Sequence, residues 1–281
     1  MTDGPDRGAL YAVVGEKYLR EALTSVRSLR AVHPDLPIDI LTTEPAESFE
    51  AVFGGIPGVH RRECRAEMTA LGIDMSGNHE VSRALKVSTV TLSRFATTLF
   101  LDSDTFIRQP VTAIFEALET GPEPPALVVT NEPEARHVTH PGASRPVAET
   151  LTALSSPKVF NSGVFAFSDR LRAAGFGTAW QETWLAQIRA AATTHDWGRL
   201  SDQRALNATI RRQDPPRTVF SNTVWNAQCK ILGALIDRGL WDDIRIVHCK
   251  LVHSHGSDPE ILRRLPYVKR FTEVPPSRID T

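Results

Sequence analysis

The chain has 281 residues, a net charge of −1 at pH 7, 41% hydrophobic residues and 23% charged residues. This balance supports a large core, argues against global disorder and gives no sign of a basic surface for nucleic acid. Three cysteines without a CxxC spacing argue against a disulfide framework or a zinc ribbon, and they fit a reducing cytosol.

The first hundred residues alternate predicted strands and helices. Residues 9–14 form a short buried strand in this interpretation, and the helix that follows ends at His33-Pro34. LPIDILTTE is a second strand, HEVSRALKVSTVTLSRF is a second helix, and residues 66–74 are ambiguous. A repeated strand-helix-strand order predicts an α/β fold whose central sheet is mainly parallel and flanked by helices.

The next predicted strand is TTLFLDSDTF, residues 97–106, in which an apolar run leads directly into two carboxylates. On a strand, Asp102 and Asp104 point the same way while Ser103 points to the other side. Two neighbouring anions repel each other, and a hard divalent cation would relieve that repulsion. The alternative interpretation is a plain turn, because Asp and Ser are common turn formers.

The second half is less regular. It contains predicted strands at PALVVTNE and VFNSGVFAFS, and predicted helices at RLRAAGFGTAWQETWLAQIRAAA, SDQRALNATIRR and AQCKILGALIDRG. DIRIVHCKLVHSHG is a long β-rich run. Residues 132–158 are rich in proline and are interpreted as a functional surface loop, because idle loops of that length are uncommon.

Two polar clusters interrupt these apolar patterns. Asn161-Ser162-Gly163 lies inside an apolar strand, where its polar groups need partners and its glycine would let a ligand or another backbone approach; a β-bulge is the alternative. Asp202 and Gln203 begin a helix and could hydrogen-bond a polyhydroxylated ligand. For Asp202 the alternative role is that of a helix cap.

Three histidines, His248, His253 and His255, lie within eight residues. One imidazole and two carboxylates make a mixed oxygen and nitrogen site that suits Mn²⁺ or a similar ion. The alternative is that these are ordinary surface or packed histidines. A zinc site is the weaker rival, because the cysteines lack a suitable spacing.

In chain order, these pieces resemble the GT-A glycosyltransferases, in particular the retaining family 8 that includes bacterial lipooligosaccharide galactosyltransferases and glycogenin. The matching segments, within residues 9–256, are YAVVGEKYLREALTSVRSL, RALK, LFLDSDTF, FNSGV, DQRALN, VWNAQ and HSHG. The family's Lys-Pro-Trp element after HxxG is missing here, and none of Arg263, Arg264 and Lys269 aligns with its lysine.

The resemblance implies a Rossmann-like nucleotide-diphospho-sugar transferase fold in one domain over residues 1–281. A nucleotide-binding half would cover about 9–130, an acceptor and sugar half about 131–256, and a tail 257–281. The polar start lacks the apolar core of a signal peptide, so a cytoplasmic protein is expected, with a peripheral position at a membrane as the alternative. The oligomeric state stays open.

The resemblance also implies the site residues. Asp102, Asp104 and His253 would bind Mn²⁺ or Mg²⁺, and the missing Lys-Pro-Trp element leaves His248 and His255 as alternative ligands. Gln203 and Asp202 would be the catalytic residues beside the reacting sugar. The donor-binding residues would be Tyr11, Ala12, Val13, Tyr18, Arg83, Lys86, Asp102, Ser103, Asn161, Ser162 and Gly256.

The implied reaction moves a hexose from a nucleotide-sugar, a UDP-hexose, to an acceptor hydroxyl with retention. The acceptor is left open among a saccharide, a lipid-linked glycan and a small molecule, and no nucleic acid is expected. The alternatives are an inverting GT-A enzyme, a sugar nucleotidyltransferase and a non-catalytic nucleotide-sugar-binding module. A nucleotidyltransferase should carry a glycine-rich loop after its first strand, where this chain has only Gly15.

Overall fold

The computed structural model describes residues 6–131, 159–194, 201–228, 232, 235–236 and 238–248. The strands are β1 (Arg7–Val13), β2 (Ile38–Thr42), β3 (Val59–Glu63), β4 (Thr97–Leu101), β5 (Thr105–Ile107), β6 (Leu127–Asn131), β7 (Phe160–Ser168), β8 (Arg217–Phe220), β9 (Ala227–Gln228) and β10 (Ile246–His248). The helices are α1 (Glu16–Val32), α2 (Ala46–Phe53), α3 (Arg65–Ala70), α4 (Asn78–Val87), α5 (Thr89–Leu92), α6 (Thr112–Glu119), α7 (Asp169–Ala173), α8 (Phe176–Thr194), α9 (Asp202–Gln213) and α10 (Asn222–Trp225), with a 3₁₀ turn at Trp241–Asp243.

Seven strands form the central sheet in the order β3-β2-β1-β4-β7-β6-β8. The first four run parallel, β7 is antiparallel to both β4 and β6, and β8 is parallel to β6. A smaller sheet has the order β5-β10-β9. The prediction of a mainly parallel α/β sheet is confirmed, and β2, β4, β6 and β7 are buried throughout, as expected for strands covered on both faces.

Two apolar layers cover the faces of this sheet. Phe100 packs on one face with Phe165 and Trp180, whereas its neighbours Leu99 and Leu101 pack on the other face. This alternation along β4 follows from the two-residue period of a strand. With both faces covered, the carboxyl ends of the strands are where polar side chains can gather, as in other open α/β sheets.

Asp39, the second residue of β2, shows that a buried carboxylate can be structural. Its oxygens accept hydrogen bonds from Arg94 Nε at 2.9 Å and Nη2 at 2.8 Å, and from Arg62 Nη1 at 3.2 Å. Charge-assisted, bidentate hydrogen bonds of this kind stabilise a carboxylate that is buried away from water. We therefore assign Asp39 a structural role and do not include it in the candidate site.

Several predicted elements differ in detail. The predicted helix HEVSRALKVSTVTLSRF is two helices, α4 and α5, separated at the buried Ser88, whose hydroxyl donates to the Ala84 carbonyl at 2.7 Å. Such bonds back to the preceding turn bend helices. The predicted break at Gly175 is confirmed, with φ at 74°, whereas Gly177 lies inside α8. The ambiguous segment 66–74 contains most of α3.

Two predictions at the end of the chain are only partly described. Ala227 begins strand β9, so the predicted helix AQCKILGALIDRG was wrong at its start, where pairing with β10 decides the conformation. Of the β-rich run, the structure describes β10, and the loop 132–158 and the tail 257–281 lie outside the described residues. No helix within the described ranges is both long enough and apolar enough to cross a membrane.

Candidate functional site

Three segments meet at the carboxyl end of β4. The strand ends at Leu101, so Asp102 and Asp104 lie in the turn between β4 and β5 rather than on one strand. The Asp102 backbone N–H donates to the Gly163 carbonyl of β7 at 2.8 Å. Strand β10 pairs with β5 and sets His248 opposite Thr105, next to Asp104. The turn interpretation is therefore correct for the backbone, and the two carboxylates nevertheless converge with an imidazole.

Asp102, Asp104 and His248 form a candidate metal site. One ligand atom from each lies within 4.8 Å of the others. His248 Nε2 is 3.1 Å from Asp104 Oδ1 and 3.7 Å from Asp102 Oδ2. Two carboxylates and one imidazole fit an ion such as Mn²⁺ or Mg²⁺, whose remaining positions phosphate or water oxygens can fill. The predicted ligand His253, and also His255, lie outside the described residues.

Charge coupling within this group is strong. Burial raises the pKa of Asp104, but the charge and hydrogen bond of His248, together with the charge of Lys86 and a backbone hydrogen bond, outweigh burial and lower it to about 2. Burial raises the pKa of Asp102 in spite of Lys86 and His248, and the neighbouring Asp104 adds to that rise. Burial lowers the pKa of His248, but the two aspartates outweigh it and the net shift is upward. The site therefore favours positive charge between its carboxylates.

Lys86 of α4 supplies a second positive charge. Its Nζ lies 2.8 Å from Asp102 Oδ1 and 3.1 Å from Asp202 Oδ2. Burial lowers the pKa of Lys86, but these two carboxylates outweigh it and raise the pKa overall. The predicted contact of Lys86 with a ligand would therefore be made by an ammonium group that already bridges two aspartates.

The polar triplet of β7 lies at a bulge. Val129 of β6 pairs with Phe165, but the next residue, Thr130, pairs with Asn161, so residues 162–164 have no β6 partners. The bulge interpretation is confirmed, and the polar side chains of the triplet have partners beside it. Ser162 Oγ donates to Asp202 Oδ2 at 2.6 Å, and Asn161 Nδ2 donates to Gln203 Oε1 at 3.1 Å.

The first turn of α9 brings Asp202 and Gln203 to this bulge. Asn207, one turn further along α9, accepts from the Phe160 N–H and donates to the Phe160 carbonyl, both at 2.8 Å. Ser201, not Asp202, is the helix cap, since its side chain accepts from the Arg204 N–H at 3.2 Å. The cap interpretation of Asp202 was therefore wrong, and its carboxylate faces Lys86 and Ser162 instead.

Gly163 serves the protein's own side chains. A Cβ atom at this position would lie 2.3 Å from His248 Cε1 and 2.6 Å from Asp102 Oδ2. The expectation was that the missing side chain lets a ligand approach. In the structure, the absence of a side chain lets the imidazole and the first aspartate meet over β7.

A Gly163→Ala variant should therefore weaken the metal site. We expect its affinity for Mn²⁺ to fall by at least about 10-fold, the lower bound for disturbing the shell around a metal. Overpacking should also lower the free energy of unfolding by about 1–3 kcal/mol. Mn²⁺ titration and urea unfolding measure the two effects. Gly77→Ala is the control, because a Cβ there meets nothing within 4 Å; equal affinities in both variants would contradict this account of Gly163.

The predicted residues of β1 and its loop have mixed placements. Tyr11 is fully buried and its hydroxyl lies 3.0 Å from Ser25 Oγ, so its side chain packs in the core instead of lining a pocket. Val13 is buried as well, whereas Tyr18 is 39% exposed. Ala12, Ser103 and Arg83 are half-buried. Since β1 runs parallel beside β4, Ala12 and Asp102 end up at the same edge of the sheet. Gly256 lies outside the described residues.

Sequence reasoning missed two side chains behind the metal group. Asn226 Oδ1 lies 2.7 Å from His248 Nδ1, and Asn226 Nδ2 lies 2.8 Å from Thr130 Oγ1. The available signal was the segment VWNAQ, which contains Asn226 and to which no role had been given. No signal singled out Thr130, which reads as one more residue of an apolar strand.

Comparison with known proteins gives the class of fold. No protein-family model and no curated protein matches the chain. The galactosyltransferase LgtC, solved with donor and acceptor sugar analogs, is 14% identical with a TM-score of 0.58, over 98% of this chain and 97% of that one. Mouse xyloside xylosyltransferase 1 is 15% identical with a TM-score of 0.58, over 89% of this chain and 100% of that one.

A bacterial structure gives the same result. The glycosyltransferase GlyE of Streptococcus pneumoniae is 13% identical with a TM-score of 0.58, over 96% of this chain and 61% of that one. At such low identity these likenesses concern the fold alone. The chain has the GT-A fold of glycosyltransferases, which confirms the predicted fold class.

Proposed function

We propose that this protein is a metal-dependent glycosyltransferase that moves a hexose from a nucleotide-sugar to an acceptor hydroxyl. The observation that carries the proposal is the meeting of Asp102, Asp104 and His248 with the polar network of Ser162 and Asp202, at the carboxyl edge of a GT-A sheet. Oxygen and nitrogen ligands for a cation thus lie beside groups that can bind hydroxyls. A nucleotide-sugar needs both, because its diphosphate binds the cation and its sugar presents hydroxyls.

The metal side of the site would handle the leaving group. Asp102, Asp104 and His248 would hold Mn²⁺ or Mg²⁺, which when bound supplies positive charge to the departing diphosphate. Lys86 would add a fixed ammonium beside it. Its positive charge is already oriented by two carboxylates, so little reorganisation is needed when negative charge develops.

The sugar side of the site would stabilise positive charge. Burial raises the pKa of Asp202, but Lys86 and the Ser162 hydroxyl outweigh it and lower the pKa, so the carboxylate stays ionised. An ionised carboxylate near the sugar can stabilise an oxocarbenium-like transition state. Gln203 lies next to it, and one solved form of LgtC is an active-site variant in which glutamate replaces a glutamine.

Retention fits these groups better than inversion. An inverting enzyme needs a carboxylate base whose pKa lies near the working pH, and Glu132, Glu134 and Asp202 are the candidates. Glu132 and Glu134 lie outside the described residues, and the lowered pKa of Asp202 makes it a weak base. The carboxamide of Gln203 is a poor nucleophile, which argues against a covalent intermediate at that residue. We therefore propose attack by the acceptor on the face that the leaving group vacates, with a phosphate oxygen taking the acceptor proton.

The end of β1 argues against a nucleotidyltransferase. Gly15 is the only glycine between β1 and α1, and its backbone N–H donates to the Glu44 carboxylate at 2.8 Å. In a phosphate-binding loop, such a backbone N–H would be free to bind a phosphate of the nucleotide. Here the Glu44 carboxylate occupies it. The proposed donor is a UDP-hexose, by resemblance, with Ala12, Tyr18 and Arg83 as candidate contacts. The acceptor class stays open.

A panel of sugar nucleotides, assayed with and without Mn²⁺, tests the proposal. We expect release of the nucleoside diphosphate from one donor, dependent on the metal, and a product with the donor's anomeric configuration by NMR. Binding without release from every donor and acceptor offered would favour a non-catalytic module. Pyrophosphate formed from a nucleoside triphosphate and a sugar phosphate would favour a nucleotidyltransferase.

A further inference from the structure

We propose that Asn226 is a positioning residue that, together with Thr130, keeps a proton on His248 Nδ1 and so presents the Nε2 lone pair to the cation. The inference deepens the proposed function and rests on it, because the cation is the one proposed for Asp102 and Asp104. It gives the segment VWNAQ a physical role.

A continuous chain of hydrogen bonds leads from the sheet to the imidazole. Thr130 Oγ1 donates to the Val164 carbonyl at 3.2 Å, Asn226 Nδ2 donates to Thr130 Oγ1 at 2.8 Å, and Asn226 Oδ1 lies 2.7 Å from His248 Nδ1. Asn226 is fully buried and Thr130 is 2% exposed, so water does not compete for these bonds.

The direction of this chain is fixed at its starting point. A backbone carbonyl can only accept, so the Thr130 hydroxyl must give its hydrogen to Val164 and keeps its lone pairs for the Asn226 amide nitrogen. The carboxamide therefore turns its oxygen to the ring. An oxygen facing Nδ1 requires a proton on Nδ1, which leaves Nε2 bare in the neutral ring.

The bulge in β7 makes this arrangement available. Thr130 is the β6 residue at which the register shifts across the bulge, and its hydroxyl reaches the Val164 carbonyl of the bulged segment. Asn226 directly precedes β9, which pairs with β10 and places Gln228 beside His248. One bulge thus orients the polar triplet on the sugar side and the imidazole on the metal side.

The consequence appears at Nε2. This nitrogen faces Asp104 Oδ1 at 3.1 Å and Asp102 Oδ2 at 3.7 Å. A lone pair directed at two carboxylates is repelled unless a proton or a cation lies between them. With Nδ1 committed to Asn226, a binding cation can displace only the Nε2 proton. The same three groups would bind a metal less well if the ring could take its other tautomer.

Two pairs of variants test the inference. Asn226→Leu removes the acceptor for Nδ1–H, whereas Asn226→Asp retains one. Thr130→Val removes the hydroxyl, whereas Thr130→Ser retains it. We expect Asn226→Leu to weaken Mn²⁺ binding by about 10–100-fold, the usual effect of losing the partner of a metal-bound histidine. Thr130→Val should have a smaller effect in the same direction, and the Asp and Ser variants should bind within a few-fold of wild type.

A spectroscopic measurement on the metal-free protein separates this inference from the proposed function. Long-range ¹H–¹⁵N spectra, with His248 identified from a His248→Gln sample, report which ring nitrogen carries the proton when the ring is neutral. We expect Nδ1–H in wild type and a shift towards Nε2–H in Asn226→Leu. A proton on Nε2 in wild type, or wild-type Mn²⁺ affinity in both Asn226→Leu and Thr130→Val, would overturn the inference.

The remaining outcomes are decided by the same samples. If Asn226→Leu does not fold, the Thr130→Val and Thr130→Ser pair decides: equal Mn²⁺ affinities overturn the inference, and a loss in the valine variant alone supports it. Wild-type protein that binds no Mn²⁺ but carries the proton on Nδ1 would overturn the proposed function while supporting the hydrogen-bond chain from Thr130 to His248.

Discussion

Asp104→Asn should abolish the Mn²⁺-dependent release of nucleoside diphosphate while the protein stays folded. Asp104 is the carboxylate closest to His248 Nε2, at 3.1 Å, and His248 lowers its pKa to about 2, so it is an anion at every working pH. An amide in its place keeps the shape and loses the charge that holds a divalent ion. Loss of a metal's outer-shell partner costs about 10–100-fold in affinity or activity, and loss of a ligand should exceed about 100-fold.

Turnover with the best donor of the panel, at several Mn²⁺ concentrations, measures the effect, and circular dichroism checks the fold. Asp35→Asn is the matched control, because Asp35 is exposed and precedes β2. It therefore lies at the amino ends of the parallel strands, whereas the site lies at their carboxyl ends. The control should retain wild-type turnover. Full activity in Asp104→Asn would show that the acid pair does not hold a required metal.

Lys86→Met should lower the free energy of unfolding of the metal-free protein more than the other variants proposed above. Lys86 Nζ bridges Asp102 and Asp202, and its side chain is 14% exposed. Methionine fills a similar volume but leaves two buried carboxylates without their shared cation. Breaking a buried pair costs about 3–5 kcal/mol. We expect the lower end of that range, because Ser162 and His248 still contact the two carboxylates.

Urea unfolding with and without Mn²⁺ measures this prediction. The loss should shrink when Mn²⁺ is present, since a cation at Asp102 replaces part of the missing charge. Turnover should fall by about 100-fold or more, the usual effect of removing a preorganised charge from a transition state. Lys17→Met, on an exposed side chain, is the control and should change stability by less than about 0.5 kcal/mol. A Lys86→Met protein as stable as the control would contradict the bridging role.

Local patterns in the sequence predicted the parts of the site but not their contacts. Asp102 and Asn161 were found because each places a polar group directly after or inside an apolar run, and Asp202 was found because it begins a predicted helix. Both signals are properties of a few neighbouring residues. Tyr11 shows the limit of the resemblance, which implied that this residue contacts the donor. Its ring packs in the core and its hydroxyl is bonded to Ser25.

The sequence by itself determined the α/β class, the buried strand that two aspartates follow, the polar triplet and the helix that begins at Asp202, because hydrophobic period and turn chemistry are local properties. Only the tertiary structure decided that His248 joins the acid pair, that Lys86 bridges Asp102 to Asp202, and that Gly163 makes room for the imidazole. Those contacts depend on which strands pair and in which register, across separations of up to about 150 residues, and no local pattern specifies that register.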